Sequence, residues 1–150
     1  MLVSRNVSRN VTRKPTLADG TEHARLRDLR LGCERFVAEG RWDMYCTLTF
    51  RFEVTEVDAA DEFERGYIQR LQQRSQGLVT YFAVAAKNWT EGRVHVHALL
   101  SFVCPLNLAG ARNAWKAGQA KVDQYDSRRG ARVYIARHVA LPDAETMVRQ

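Results

Sequence analysis

The sequence predicts an α+β domain in which an antiparallel sheet carries helices packed mainly on one face. Three observations predict it. Two β-rich stretches, 78–86 (LVTYFAVAA) and 93–103 (RVHVHALLSFV), are separated only by the six residues KNWTEG, a spacing that suits an antiparallel hairpin. A third stretch, 44–54 (MYCTLTFRFEV), is β-branched and aromatic and alternates in character from Thr47 onward. Between and around them lie segments whose apolar residues recur at helical spacing, and helices interleaved with antiparallel strands make a layered α+β arrangement.

The elements follow in order. Residues 1–14 repeat VSRN-VSRN-VTRK, with Arg5, Arg9 and Arg13 four apart, and Pro15 ends whatever local structure forms. Residues 1–20 are therefore expected to be a basic, flexible arm, and residues 21–150 a single domain. Residues 22–39 read as an amphipathic helix through Leu26, Leu29, Cys33, Phe36 and Val37, stopped by Gly40. The strand 44–54 comes next. Asp58 and Asp61 then open a helix with acids in its first turn, which suits the helix dipole. It presents Phe63, Tyr67, Ile68 and Leu71 and ends at Gly77. The hairpin of 78–86 and 93–103 follows, then a helix over 107–117 after Pro105. A short strand over 120–125 leads to a last helix from Ser127 to Val139, before Leu141-Pro142 and a polar end.

Charge sharpens this picture. The chain has 150 residues and a net charge of +6, and only four of its 23 basic residues are lysines (Lys14, Lys87, Lys116, Lys121). Arginine's planar donor fork matches phosphate, so the excess suits a nucleic-acid partner, although an arginine-favouring codon usage gives the same skew. Residues 1–14 hold four basic residues and no acid, so most of the net charge sits on the arm. No apolar run is long enough to span a membrane or to serve as a signal peptide, so a cytoplasmic protein without a membrane partner is expected. Cys33, Cys46 and Cys104 are too scattered for a disulfide or zinc framework and read as reduced core residues.

Chemistry concentrates in Arg93-Val94-His95-Val96-His97-Ala98-Leu99-Leu100. Strand alternation puts His95 and His97 on one face and Val94, Val96 and Ala98 on the other. Two imidazoles on a rigid strand make a pair of metal ligands, though a lone pair of this kind is more often structural. Some forty residues later comes Tyr134-Ile135-Ala136-Arg137-His138-Val139, on the last predicted helix. A tyrosine near a metal-bound phosphate is a competent nucleophile, while the plainer reading of Tyr134 is packing against the sheet.

Taken together, the chain resembles the HUH endonucleases, in particular one-tyrosine rolling-circle replication initiators, over about residues 42–139. YCTLTF (45–50) is similar to the family's first apolar strand, GRVHVHALL (92–100) to its metal-binding motif, WKAG (115–118) to its Trp-x-x-Gly stretch, and YIARHV (134–139) to the helix bearing its nucleophile. The resemblance implies a ferredoxin- or RRM-like fold. It further implies that His95 and His97 bind Mg²⁺ or Mn²⁺ and that Tyr134 attacks a phosphodiester of single-stranded DNA at an origin or hairpin. The products are a 5′-phosphotyrosine link and a free 3′-OH. Arg137 stands where the family has a lysine and His138 where two-tyrosine members have their second tyrosine; one turn from Tyr134, His138 either exchanges a proton with it or packs. The family's acidic third ligand is missing near Ala86, with Glu91 or Glu53 as substitutes.

Arg128, Arg129 and Arg132 are expected to clamp phosphates, with Arg93 beside the histidines also touching DNA and Trp89 stacking a base. Trp42 and Trp115 read as core, and the acids from Glu53 to Glu64 as lying away from the DNA. A chain of this length has no room for a helicase domain, so strand unwinding is expected to come from a separate helicase, unless the chain is a fragment of a longer protein. The alternatives are a single-strand transposase or relaxase of the same chemistry, a non-catalytic RRM-like nucleic-acid-binding module, and a metal-dependent phosphatase, which would favour carboxylate clusters that are absent here.

Overall fold

A computed structural model describes residues 20–88, 91–130, 135, 138, 139, 141 and 143–150. The described elements are α1 (Gly20–Glu39), β1 (Met44–Leu48), α2 (Glu56–Asp61), a π-helical segment (Glu62–Tyr67), α3 (Ile68–Ser75), β2 (Val79–Lys87), β3 (Val94–Phe102), α4 (Leu108–Asn113), β4 (Ala120–Gln124), a 3₁₀ turn (Ser127–Arg129) and β5 (Glu145–Arg149). The five strands form one open antiparallel sheet in the order β4-β1-β3-β2-β5. The α+β class and the antiparallel sheet are as the sequence predicts. The arm falls outside the described residues, and Gly20 is already the first residue of α1.

The alternation of β3 builds two apolar layers. Val94, Val96, Ala98 and Leu100 join Met44, Cys46 and Leu48 of β1 and Tyr81, Ala83 and Ala85 of β2 in the larger core. Phe63, Tyr67, Ile68 and Leu71 cover that face, so the helical layer of α2, the π segment and α3 lies there. The buried Cys46 thiol approaches the Tyr67 hydroxyl at 3.8 Å, and burial pushes its pKa up to about 12, so it is an inert core group. The opposite face holds a smaller cluster: Phe82, Val84, Ala86 and Leu99 pack with Cys33 and Val37 of α1, Trp42, Ile135 and Val139.

Helix boundaries have local causes. Thr55 caps α2, its hydroxyl accepting from the Asp58 N–H at 3.1 Å, and Glu56 and Asp58 sit in the first turn as the dipole favours. The helix predicted from Asp58 to about Gln76 is continuous but widened over Glu62–Tyr67, where the Ile68 N–H reaches back to the Phe63 carbonyl. Gln76 closes it in the left-handed conformation at φ 57°. Asn107 caps α4, accepting from the Gly110 N–H at 2.6 Å.

Trp42 and Trp115 are core residues, as expected, at 9% and 4% exposure. Each indole N–H donates to a backbone carbonyl, Trp42 to Val37 and Trp115 to Thr49, both at 2.9 Å. The segment 115–119 runs so close to β1 that a side chain at Gly118 would overlap the Thr49 carbonyl, which explains the glycine. Several expectations change: the helix over 107–117 shortens to Leu108–Asn113, and the last helix expected from Ser127 begins instead as a 3₁₀ turn over Ser127–Arg129 that Gly130 closes in the left-handed conformation at φ 72°. The first strand is shorter than 44–54, because beyond Leu48 the pairing with 117–119 becomes irregular. The polar end beyond Pro142 contains β5, which buries Met147 beside Ala83.

Candidate functional site

His95 and His97 lie on the central strand β3, both buried, at 9% and 3% exposure. They share the face of Leu99 and the smaller cluster, as alternation requires, and their ring centroids are 6.3 Å apart. Register then selects their neighbours. Thr47 stands opposite His97 on β1, and Val84 opposite it on β2. The Thr47 hydroxyl lies 3.4 Å from His97 Nδ1 and the Tyr45 hydroxyl 3.2 Å from the same nitrogen. When Nε2 serves as a ligand, Nδ1 carries the proton and donates it to one of these hydroxyls, which fixes tautomer and ring orientation. The Tyr45 ring also stacks on the imidazole, 6.5 Å between centroids and 14° from parallel.

His95 faces the turn instead. Its Nε2 lies 3.4 Å from Glu91 Oε2, which makes Glu91, of the two substitutes for the missing acidic ligand, the one that reaches the pair. Glu53 lies exposed in the segment between β1 and α2. His138 completes the group. It is helical, and its ring centroid sits 4.2 Å from that of His97.

Burial dominates the electrostatics. It lowers the pKa of His95, with Glu91 partly opposing, and it lowers that of His97 to about 3, reinforced by His138 and His95. Both imidazoles are therefore neutral at physiological pH, the state in which imidazole binds a metal. The donor chemistry of the pair thus fits a divalent ion. Proximity of rings is still short of a coordination shell: among the described residues, no group of three or more His, Cys, Asp or Glu side chains is placed to hold one ion.

The other predicted site residues divide. Tyr134, Arg132, Arg137 and Trp89 lie outside the described residues, as does the Arg129 side chain. Arg93 is exposed next to the pair, and its guanidinium donates to the Phe50 carbonyl at 3.0 Å. Arg128 is held by Asp126 through two parallel hydrogen bonds of 3.0 and 3.1 Å, so a phosphate would compete with that carboxylate for it. On the helices covering the larger core, Glu62 pairs with Arg70, and Glu64 accepts from the Tyr81 hydroxyl at 2.6 Å. These acids belong to the layer across the sheet from the histidines.

Tyr45 and Thr47 were missed as site residues. Their signal was available only as alternation within YCTLTF, which puts both on one face without saying which strand lies opposite. Comparison with known protein families, curated proteins and solved structures finds no match. Among the described residues, no helix is long and apolar enough to cross a membrane.

Proposed function

We propose that the chain is a metal-dependent enzyme that nicks and rejoins single-stranded DNA through Tyr134, initiating rolling-circle replication in the cytoplasm with a separate helicase. The observation that carries this reading is the approach of His138 to His97. It draws His138, some forty residues away in sequence, to the histidine strand, and Ile135 and Val139, close to it in sequence, are buried in the cluster on that face.

Mg²⁺ or Mn²⁺ held by His95 and His97, with Glu91 beside them, would supply charge stabilisation at the scissile phosphate. Burial keeps both imidazoles neutral, and Tyr45 and Thr47 fix the ring of His97. The Tyr134 phenol oxygen attacks phosphorus; a tyrosyl phosphodiester forms as the bond to the 3′ oxygen breaks, and that oxygen takes a proton from water and leaves as a 3′-OH. His138, four residues after Tyr134 in sequence, takes the phenol proton, and the charge of Arg137 would offset that of the phosphate. Reversal of the same exchange rejoins the strand.

An RRM-like platform would instead need open aromatics on the sheet, whereas Phe82 is buried and Tyr45 is turned onto His97. The deciding experiment incubates the chain with origin-type single-stranded DNA and Mn²⁺ and looks for a covalent adduct on a denaturing gel. The adduct is expected to vanish in Tyr134→Phe and with chelator, and to form roughly 10²–10⁴-fold more slowly in His138→Ala. An adduct that persists in Tyr134→Phe overturns the nucleophile.

A further inference from the structure

We propose that Arg51, Arg93 and Lys121 form a cationic collar around the histidine pair along which the backbone of a single DNA strand runs; this rests on the strand-transfer reading above and assigns the path of its substrate. Register places Lys121 there, and alternation from the adjoining strands places Arg51 and Arg93. Lys121 stands opposite Thr47, and Thr47 opposite His97, so one row crosses β4, β1 and β3 from cation to imidazole.

Past the end of β1 two backbone hydrogen bonds still tie the chain to 117–119. The Thr49 N–H donates to the Gln119 carbonyl and the Arg51 N–H to the Ala117 carbonyl, each at 2.9 Å. Between them Phe50 is buried edge-on against Trp115 in the larger core. Alternation therefore turns Arg51 to the histidine face. Val94 belongs to the larger core, so Arg93 before it likewise shares the face of His95 and His97. Cations thus stand on two sides of the pair, Lys121 at the end of the His97 row and Arg51 with Arg93 beyond His95.

Two observations point to a polyanion. All three residues are exposed, and none of them forms an ion pair with a described residue. Glu91, on the same side, is directed to His95. Moreover, Arg51 and Arg93 are anchored on neutral backbone carbonyls, of Lys116 and Phe50 respectively. That contact orients a guanidinium without neutralising it and leaves further N–H donors for phosphate. Separated, oriented charges beside a sheet face are the means by which proteins follow a single strand's backbone without reading its sequence.

The test measures fluorescence anisotropy of a labelled oligodeoxythymidylate of about 30 nucleotides bound to the full chain, over roughly 50–300 mM salt. Arg51→Gln, Arg93→Gln and Lys121→Gln should each flatten the dependence of log affinity on log salt by about 0.7, and the triple variant by about 2. Mn²⁺ binding should be unchanged in Arg51→Gln and Lys121→Gln. Arg51→Lys and Arg93→Lys keep the charge and should keep the slope, which separates charge from any loss of folding. A triple variant with the wild-type slope, or an equal loss from Arg65→Gln on the opposite face, overturns the collar while the Tyr134 adduct still forms. Tighter binding of the matching oligoribonucleotide overturns DNA as the partner. A collar-dependent slope in a protein that forms no adduct sinks the strand-transfer reading and leaves the collar as a binding surface.

Discussion

The Tyr45 hydroxyl lies 3.2 Å from Nδ1 of His97, and the two rings stack within 14° of parallel although 52 residues separate them in sequence. With Thr47 on the same nitrogen, the imidazole is oriented from β1, a strand that carries no metal-ligand candidate of its own on that face.

This arrangement sets the first expectation. Tyr45→Phe keeps the stacked ring and removes one hydroxyl, and adding Thr47→Val removes the other. Loss of such supporting hydrogen bonds weakens metal sites about 10–100-fold. Titration calorimetry with Mn²⁺ should show the smaller loss in the single variant and the larger in the double. Wild-type affinity in the double variant would leave the hydroxyls with no part in orienting His97.

Stability should also depend on pH in a defined direction. Burial depresses the His97 pKa to about 3 in the folded chain, against 6.5 for an ordinary histidine. The unfolded chain therefore takes up a proton at higher pH than the folded one does. The contribution is fully present above pH 6.5 and is lost as pH falls toward 3. At about pH 5 the loss from His97 alone is about 2 kcal/mol. Denaturant unfolding in chelator at about pH 7 and pH 5 should show it, and His97→Gln should reduce the difference. An equal difference in that variant would assign the effect to other groups.

A third expectation concerns the close approach of 115–119 to β1. Gly118→Ala pushes a methyl into the Thr49 carbonyl, which is backbone and cannot swing aside. Overpacking of this kind costs about 1–3 kcal/mol, or a fall in Tm of about 3–10 °C for a chain of this size. Thermal unfolding followed by circular dichroism measures it, and an unchanged Tm would mean that the loop can retreat from β1.

The sequence made some of this legible and hid the rest for physical reasons. The hairpin of β2 and β3 was readable because both strands are apolar and the link is short. The helix from α2 through α3 was readable because Phe63, Tyr67, Ile68 and Leu71 recur on one side; its π segment was not, since one widened turn barely disturbs that spacing. β5 was hidden because ETMVR is short and polar and buries chiefly Met147 against a partner more than 60 residues away. At the site, His95 and His97 declared themselves through strand alternation. Tyr45, Thr47, Arg51 and Lys121 did not, because their bearing on the pair depends on which strands are neighbours and in what register. His138 was visible as four residues from Tyr134, but the approach of its ring to that of His97 is a tertiary fact.

The position of β3 in the strand order has a consequence for how function is lost. It is the middle strand of five, hydrogen-bonded to β1 on one side and β2 on the other, while β4 and β5 form the margins. Marginal strands can fray with little cost, but freeing a central one breaks two ladders and opens both apolar layers at once. Amide hydrogens of His95 and His97 should therefore exchange only through events close to global unfolding. The two imidazoles are then as durable as the domain itself, and a population of chains divides into those with an intact pair and those with no fold.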